Sequence, residues 1–144
     1  MVAAALRAFL DANVLFSAAY LETSGIRRLW AIPGVQLVTS NYAVEEAIRN
    51  LTTARQRTEI RGLLSSVEVV AASASPTPLF LSGSGLPEKD QPILLAAVES
   101  GCDYLITGDK AHFGHLYDTV IEGVTVIRAA SFLQFCRDRV EDQL

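Results

Sequence analysis

Short apolar runs alternate with helical patterns along the chain. The runs are continuous rather than alternating, which is typical of strands buried on both faces. Between them, apolar side chains recur at helical spacing, as at Val44, Ala47, Ile48 and Leu51. The predicted strands cover 8–10, 35–39, 67–71, 103–107 and 124–127, and the predicted helices cover 14–20, 24–32, 40–51, 53–65, 90–101 and a last segment from Ser131.

This alternation predicts a mostly parallel sheet with helices on both faces. We therefore expect one α/β domain over residues 1–144, with three α/β/α layers. Residues 73–87 are rich in Ser, Gly and Pro and are interpreted as a loop within that domain. Half of the residues are hydrophobic, but no stretch approaches the roughly 20 apolar residues of a membrane span. Neither a membrane segment nor a signal peptide is predicted.

Acidic residues follow several predicted strands. Asp11 ends the run Phe9–Leu10, and Asp109 follows the strand over 103–107. Glu46 and Asp90 lie near the start of helices that follow two other strands. Strand-to-helix turns in a parallel sheet share its carboxyl edge. The sequence therefore predicts that these four carboxylates converge there.

Two interpretations of these acids remain open. Asp11, Asp90 and Asp109 are suitable helix N-caps, and Glu46 is suited to the positive end of a helix dipole. Together, however, the acids repel one another unless a cation lies between them. Oxygen ligands favour Mg²⁺ or Mn²⁺ over zinc, and carboxylate-bound cations are suited to hydrolysing phosphodiesters.

Composition narrows the class of protein only slightly. The net charge is −4 and the pI is about 5.1, which argues against a generic basic nucleic-acid-binding domain. A nuclease whose acids are neutralised by bound cations stays compatible with this charge. Cys102 and Cys136 show no metal or disulfide spacing, which favours reduced thiols in a cytoplasmic protein.

Four blocks of the chain resemble the PIN domain. They are FLDANVLFSA (9–18), SNYAVEEAIRNL (40–51), LPEKDQPILLAAVESGCDYLITGDKAHF (86–113) and VTVIRAASFLQF (124–135). The resemblance implies a nuclease that depends on Mg²⁺ or Mn²⁺. Small bacterial members are typically VapC-type toxins that cut RNA and are held by an antitoxin.

The same resemblance assigns roles to individual residues. It places the family's acids at Asp11, Glu46, Asp90 and Asp109, and its polar helpers at Asn13 and Thr107. Asp11, Asp90 and Asp109 would hold the metal, and Glu46 would orient water. Glu45 directly precedes Glu46 and remains an alternative.

Two histidines stand near the last acid. Many members have a further acid three positions after the last aspartate, where this chain has His112. The resemblance therefore implies one tightly bound metal rather than two. His112 and His115 are spaced i, i+3, but zinc would require more nitrogen or sulfur ligands. We expect them to be surface or packing residues.

Three other functions are weighed against the toxin. The first is a PIN-fold RNA-processing nuclease without an antitoxin. The second is a phosphatase with Asp11 as nucleophile, in which Asn13 could not serve as the general acid. The third is a non-catalytic binding domain. For partner binding, we expect helices near 24–32 and 41–64 to contact an antitoxin or a second copy of the chain, since apolar and arginine residues concentrate there, including Trp30, Leu51, Leu63, Leu64, Arg49, Arg55, Arg57 and Arg61.

Overall fold

The computed structural model describes residues 5–71 and 77–142, and within them one six-stranded sheet forms the centre. The strand order is β3-β2-β1-β4-β6-β5, and neighbouring strands are parallel except for β5 and β6. The strands are β1 (Leu6–Leu10), β2 (Val35–Ser40), β3 (Glu68–Val70), β4 (Tyr104–Ile106), β5 (Val120–Ile121) and β6 (Val124–Ile127).

Helices flank this sheet and complete a three-layer α/β/α fold, as the sequence predicted. The α-helices are α1 (Ala12–Tyr20), α2 (Asn41–Asn50), α3 (Ala54–Leu64), α4 (Leu79–Ser82), α5 (Gln91–Glu99), α6 (Lys110–Phe113) and α7 (Ala129–Asp142). Two 3₁₀ helices cover Gly25–Ala31 and Gly114–Leu116. No helix among the described residues has both the length and the apolar character needed to cross a bilayer.

Local sequence signals account for several helix starts. The Ser40 hydroxyl accepts a hydrogen bond from the Ala43 amide at 3.2 Å and so begins α2. Thr53 and Gln56 form a reciprocal capping box at the start of α3. Pro92 lies in the first turn of α5, where its missing amide hydrogen costs no helical hydrogen bond.

The second half of the central strand β1 is completely buried in the core. Ala8, Phe9 and Leu10 have no exposed surface, as expected for a parallel strand covered on both faces. Next to β1, Tyr104 of β4 contacts Phe132 of α7 edge-on, with ring centroids 5.1 Å apart, and Phe132 is fully buried. These contacts fix the strands whose ends carry the acids.

The structure differs from the sequence predictions mainly in short elements. The segment expected to be a helix over 24–32 is a 3₁₀ helix, with an i to i+3 bond from the Arg27 amide to the Ser24 carbonyl. The final helix starts at Ala129, two residues before the predicted start at Ser131. The loop predicted over 73–87 contains α4, and its residues 73–76 lie outside the described part. The pattern also gave no signal for α6, the second 3₁₀ helix or β5, because each is too short to show a periodicity.

The residues proposed as a partner surface are partly used inside the fold. Leu51 is 1% exposed, and the Trp30 indole donates a hydrogen bond to the Leu63 carbonyl at 2.9 Å. Arg57 donates to the Leu51 carbonyl, and Arg55 pairs with Glu22. These side chains tie α2, α3 and the first 3₁₀ helix together, so they do not by themselves mark an interface.

The chain reverses direction across the sheet next to β1. It runs outward through β2 and β3 on one side, and then returns to place β4 on the other side of β1. Such a switch point opens a crevice at the carboxyl ends of the two central strands. Asp11 follows β1 and Thr107 follows β4, so both lie at this crevice.

Candidate functional site

A cavity of about 530 Å³ opens at this switch point, and all four predicted acids line it. They come from different parts of the fold: the start of α1, the middle of α2, the start of α5 and the start of α6. The structure therefore brings Asp11, Glu46, Asp90 and Asp109 together. The full lining is Asp11, Ala12, Asn13, Phe16, Glu46, Asn50, Asp90 and Asp109.

Asp11 is both a helix cap and a member of this site. Its Oδ1 accepts a hydrogen bond from the Ala12 amide at 2.6 Å. Its Oδ2 accepts from the Thr107 hydroxyl at 2.8 Å and from the Asn13 amide group at 3.1 Å. The residue as a whole is 4% exposed. The two interpretations left open by the sequence are therefore compatible at this residue.

Burial dominates the ionisation of Asp11. It raises the pKa of this carboxyl from its ordinary value of 3.8 to about 6. Hydrogen bonds from Thr107 and Ala12 lower the pKa, while the negative charges of Glu46 and Asp90 raise it further. The negative charges of the neighbouring acids therefore make ionisation of Asp11 less favourable, and a bound cation would neutralise those charges.

Asn13 and Thr107 brace the ends of the two central strands. The Asn13 side-chain oxygen accepts from the Gly108 amide at 2.8 Å. The Thr107 hydroxyl accepts from the Asp109 amide at 3.1 Å, and the Thr107 carbonyl accepts from the Tyr117 hydroxyl at 3.0 Å. These bonds hold the loop that carries Asp109 against the end of β1. Both predicted polar helpers are therefore part of the site's frame.

Asp90 does not act as a helix cap. It occupies the N-cap position of α5, but its side chain accepts no capping hydrogen bond. It is 5% exposed, and its Oδ2 is a buried oxygen with no hydrogen-bond partner among the described residues. The Lys89 ammonium lies 3.5 Å from the other oxygen, Oδ1. A buried carboxylate oxygen without a hydrogen-bond donor is costly, so Asp90 is the clearest indication that this site binds a cation.

Asp109 lines the cavity, and His112 lies directly beside it. Asp109 Oδ1 accepts from the His112 amide at 3.1 Å and caps α6, while Oδ2 lies 2.9 Å from His112 Nδ1. The same Nδ1 is 2.9 Å from Asp90 Oδ2. Each of the three residues offers a ligand atom within 4.8 Å of the others.

His112 contacts the acids of this site, although the sequence did not predict that it would. We expected a surface or packing residue, yet its ring nitrogen contacts two of the acids. The available signal was its position three residues after Asp109, which brings the side chain back over the first turn of α6. The other histidine, His115, has a different partner: its Nε2 lies 2.8 Å from the Ser84 carbonyl oxygen.

The neighbouring glutamates of α2 are separated by their orientation. Glu46 is half-buried and lines the cavity, whereas Glu45 is exposed and absent from its lining. Asn50, one turn further along α2, lines the cavity together with Phe16 of α1. Neither residue was singled out from the sequence, because a lone Asn or Phe at a helical position carries no distinctive pattern.

The donor set suits a hard divalent cation. Four carboxylates line the cavity, and its lining among the described residues contains no lysine or arginine. Carboxylate oxygens are preferred ligands of Mg²⁺ and Mn²⁺. Asp90, whose buried Oδ2 has no hydrogen-bond partner among the described residues, offers a ligand atom within 4.8 Å of one from Asp109, so the residues present fit such an ion.

Comparison with known proteins gives evidence at the level of the fold. No family model matches the sequence, and no curated protein sequence matches it significantly. Among solved structures, VapBC2 from Rickettsia felis, bound to a DNA fragment from its promoter, matches with a TM-score of 0.60 and 14% identity, over 85% of this chain and 98% of the matched chain.

Two archaeal structures are similar as well. A PilT N-terminus domain protein, SSO1118 from Sulfolobus solfataricus, matches with a TM-score of 0.57 and 17% identity over 91% of this chain and 93% of that chain. PAE2754 from Pyrobaculum aerophilum matches with a TM-score of 0.55 and 17% identity over 93% and 98%. Taken with the sheet order and the acidic switch point, these matches show that the chain has a PIN-domain, VapC-like fold.

Proposed function

We propose that this protein is a metal-dependent endoribonuclease and the toxin of a type II toxin–antitoxin pair. The observation that carries the proposal is the convergence of four carboxylates, one with an unpartnered buried oxygen, at the switch point of a PIN-like fold. A cavity that is acidic yet expected to receive a polyanion requires a cation to neutralise it.

Asp11, Asp90 and Asp109 would hold a Mg²⁺ or Mn²⁺ ion. When bound, the ion supplies a Lewis acid for the charge on the phosphate and an acidified water as nucleophile. Asn13 and Thr107 keep the Asp11 carboxylate aimed into the cavity through the bonds described above. Glu46, on the cavity wall, orients the attacking water by accepting one of its hydrogens.

A phosphatase with an Asp11 nucleophile is less well supported. Both Asp11 oxygens accept hydrogen bonds, and the residue as a whole is 4% exposed. Asn13, in the position of a general acid, donates to Asp11 and accepts from the Gly108 amide. An amide in that place has no proton of suitable acidity to transfer.

The proposal of an antitoxin partner rests on a different observation. The matched Rickettsia felis structure is a VapBC complex on promoter DNA, and this chain shares its fold. We therefore propose an antitoxin partner and a cytoplasmic location, where the free and buried thiols of Cys102 and Cys136 stay reduced. Co-purification from the native cell tests the partner. Recovery of the chain alone or as a homodimer, with nuclease activity intact, would favour an RNA-processing nuclease without an antitoxin.

Cleavage of a labelled single-stranded RNA tests the activity itself. We expect cleavage with Mn²⁺ or Mg²⁺, none with EDTA, and none with Asp11→Asn in either condition, while circular dichroism of the variant stays native. Retained cleavage by Asp11→Asn would contradict the mechanism. Hydrolysis of a chromogenic phosphate monoester, with a phosphoryl group trapped on Asp11, would establish the phosphatase instead.

A further inference from the structure

His112 has the geometry of a metal ligand rather than of a structural hydrogen-bond donor. Its Nδ1 lies 2.9 Å from Asp90 Oδ2 and 2.9 Å from Asp109 Oδ2. A single ring nitrogen carries at most one hydrogen, so it can satisfy only one of these two oxygens, and its contact with Asp109 is the one that has hydrogen-bond geometry. Asp90 Oδ2 is left without a hydrogen bond although it is buried.

These spacings match the edges of a coordination shell. Ligands about 2.1 Å from a six-coordinate ion lie roughly 3 Å from their neighbours and about 4.2 Å from the ligand opposite. The three ligand atoms lie within 4.8 Å of one another, and two of the separations are 2.9 Å. One ion can therefore contact all three after small adjustments of the side chains.

The backbone holds His112 in this position. The His112 amide donates to Asp109 Oδ1 at 3.1 Å. Asp109 therefore caps α6 with one oxygen and contacts the His112 ring with the other. The following Phe113 is fully buried and anchors the helix in the core. Because both ends of this short segment are fixed, the imidazole stays beside Asp90 and Asp109.

We propose that His112 Nδ1 is a nitrogen ligand of the metal, and that it makes this site prefer a transition-metal ion such as Mn²⁺ or Co²⁺ over Mg²⁺. The inference rests on the proposed metal-dependent function and adds to it the identity of the ion. Imidazole nitrogen binds transition metals well, whereas Mg²⁺ favours oxygen ligands and keeps several of its waters. Asp90 and Asp109 complete the set on either side of the ring.

Electron spin-echo spectroscopy of the Mn²⁺-loaded full chain tests the nitrogen ligand without any assay of activity. The chain has two histidines, which makes the assignment simple. We expect a directly coordinated ¹⁴N signal in the wild type, its replacement by a ¹⁵N signal on labelling with ¹⁵N-histidine, and its retention in His115→Gln. In His112→Asp, which substitutes an oxygen ligand, the signal should vanish.

Calorimetric titration with Mn²⁺, Co²⁺ and Mg²⁺ separately measures selectivity. We expect the preference for Co²⁺ over Mg²⁺ to fall at least about tenfold in His112→Asp and to be unchanged in His115→Gln. Bound Mn²⁺ without a histidine nitrogen signal would overturn the inference and leave the metal site intact. Failure of the wild type to bind any of the three ions would overturn the proposed function as well.

Discussion

The two ends of the parallel strands both carry acidic side chains, but an arginine forms a two-point ion pair with one of them at the amino ends, whereas several acids lie close together at the carboxyl ends. At the amino ends, Arg7 of β1 forms a two-point ion pair with Glu68 of β3, at 2.6 and 3.2 Å. The Arg7 amide donates to the Asp103 carboxylate at 2.9 Å, and its guanidinium donates to the Ser100 carbonyl. At the carboxyl ends, four carboxylates line one cavity whose described lining has no basic residue.

This difference separates charges that stabilise the fold from charges that oppose it. The hydrogen bond and positive charge of Arg7 lower the pKa of Glu68, so ionisation there favours the fold. Burial and neighbouring negative charge raise the pKa of Asp11, so ionisation there opposes the fold. A protein that buries several carboxylates close to one another gives up stability. The carboxyl end is therefore where a ligand is expected.

The largest expected effect compares one acid from each end. Replacing Asp90 by Asn removes a proposed metal ligand, so RNA cleavage with Mn²⁺ should fall on the order of 1000-fold, because the ion supplies several kcal/mol of transition-state stabilisation. Asp103→Asn, the matched change at the amino end, should leave cleavage within about twofold of wild type. Initial rates on the same RNA measure both. Equal losses in the two variants would show that the two ends are not functionally distinct.

The pH dependence of stability should have opposite signs at the two ends. A folded-state pKa of about 6 instead of 3.8 at Asp11 means that its stabilising contribution is complete below about pH 4. That contribution is lost as the pH rises through 6, by about 3 kcal/mol. Glu68 has a lowered pKa, so its contribution is present at neutral pH and lost as the pH falls.

Urea unfolding in EDTA between pH 3.5 and 7 (roughly spanning both windows) measures these contributions. Relative to Asp11→Asn, the wild type should lose stability as the pH rises. Relative to Glu68→Gln, it should gain stability as the pH rises. A difference between wild type and Asp11→Asn that does not change with pH would mean that Asp11 titrates normally.

The same comparison can be made within one helix, because two adjacent acids of α2 differ in their surroundings. Glu46 lines the cavity and Glu45 is exposed, although the two are neighbours in sequence. Glu46→Gln should lower cleavage about 100-fold through loss of a water-orienting carboxylate, with metal affinity nearly retained. Glu45→Gln should behave like the wild type. The reverse result would transfer the proposed role to Glu45.

Sequence reasoning was most successful where a signal is local and repeated. The buried runs of β1, β2 and β6 and the helical spacing of α2 were sufficient to predict a parallel α/β sheet. Parallel topology then places strand ends on one edge, so the approach of Asp11 and Asp109, almost a hundred residues apart, was predictable. The orientation of α2 was not: the resemblance pointed to Glu46 and left Glu45 open, and only the structure shows that Glu46 is the one that lines the cavity.

Other features depended on geometry that a one-dimensional pattern does not contain. The conflict between cap and site at Asp11 is resolved because its two oxygens face different partners. At Asp90 the cap position is occupied without a capping bond. His112 was missed because its partner Asp90 comes from another helix, α5, whose distance to α6 no local spacing encodes. Trp30 and Leu51 likewise form hydrogen bonds with residues of another helix, α3, which no local spacing predicts.

Chemical unfolding of wild type, Asp90→Asn and Asp103→Asn, each in EDTA and in Mn²⁺, tests the central claim most directly. In EDTA, Asp90→Asn should be more stable than wild type by about 1 kcal/mol, because the charged, buried Oδ2 that lacks a hydrogen-bond donor is replaced, and Asp103→Asn should be less stable. Saturating Mn²⁺ at about 100 times its dissociation constant should stabilise wild type and Asp103→Asn by about 2.7 kcal/mol and Asp90→Asn hardly at all. Equal stabilisation of all three proteins by Mn²⁺, or none of any, would contradict a metal site at the carboxyl ends of the strands.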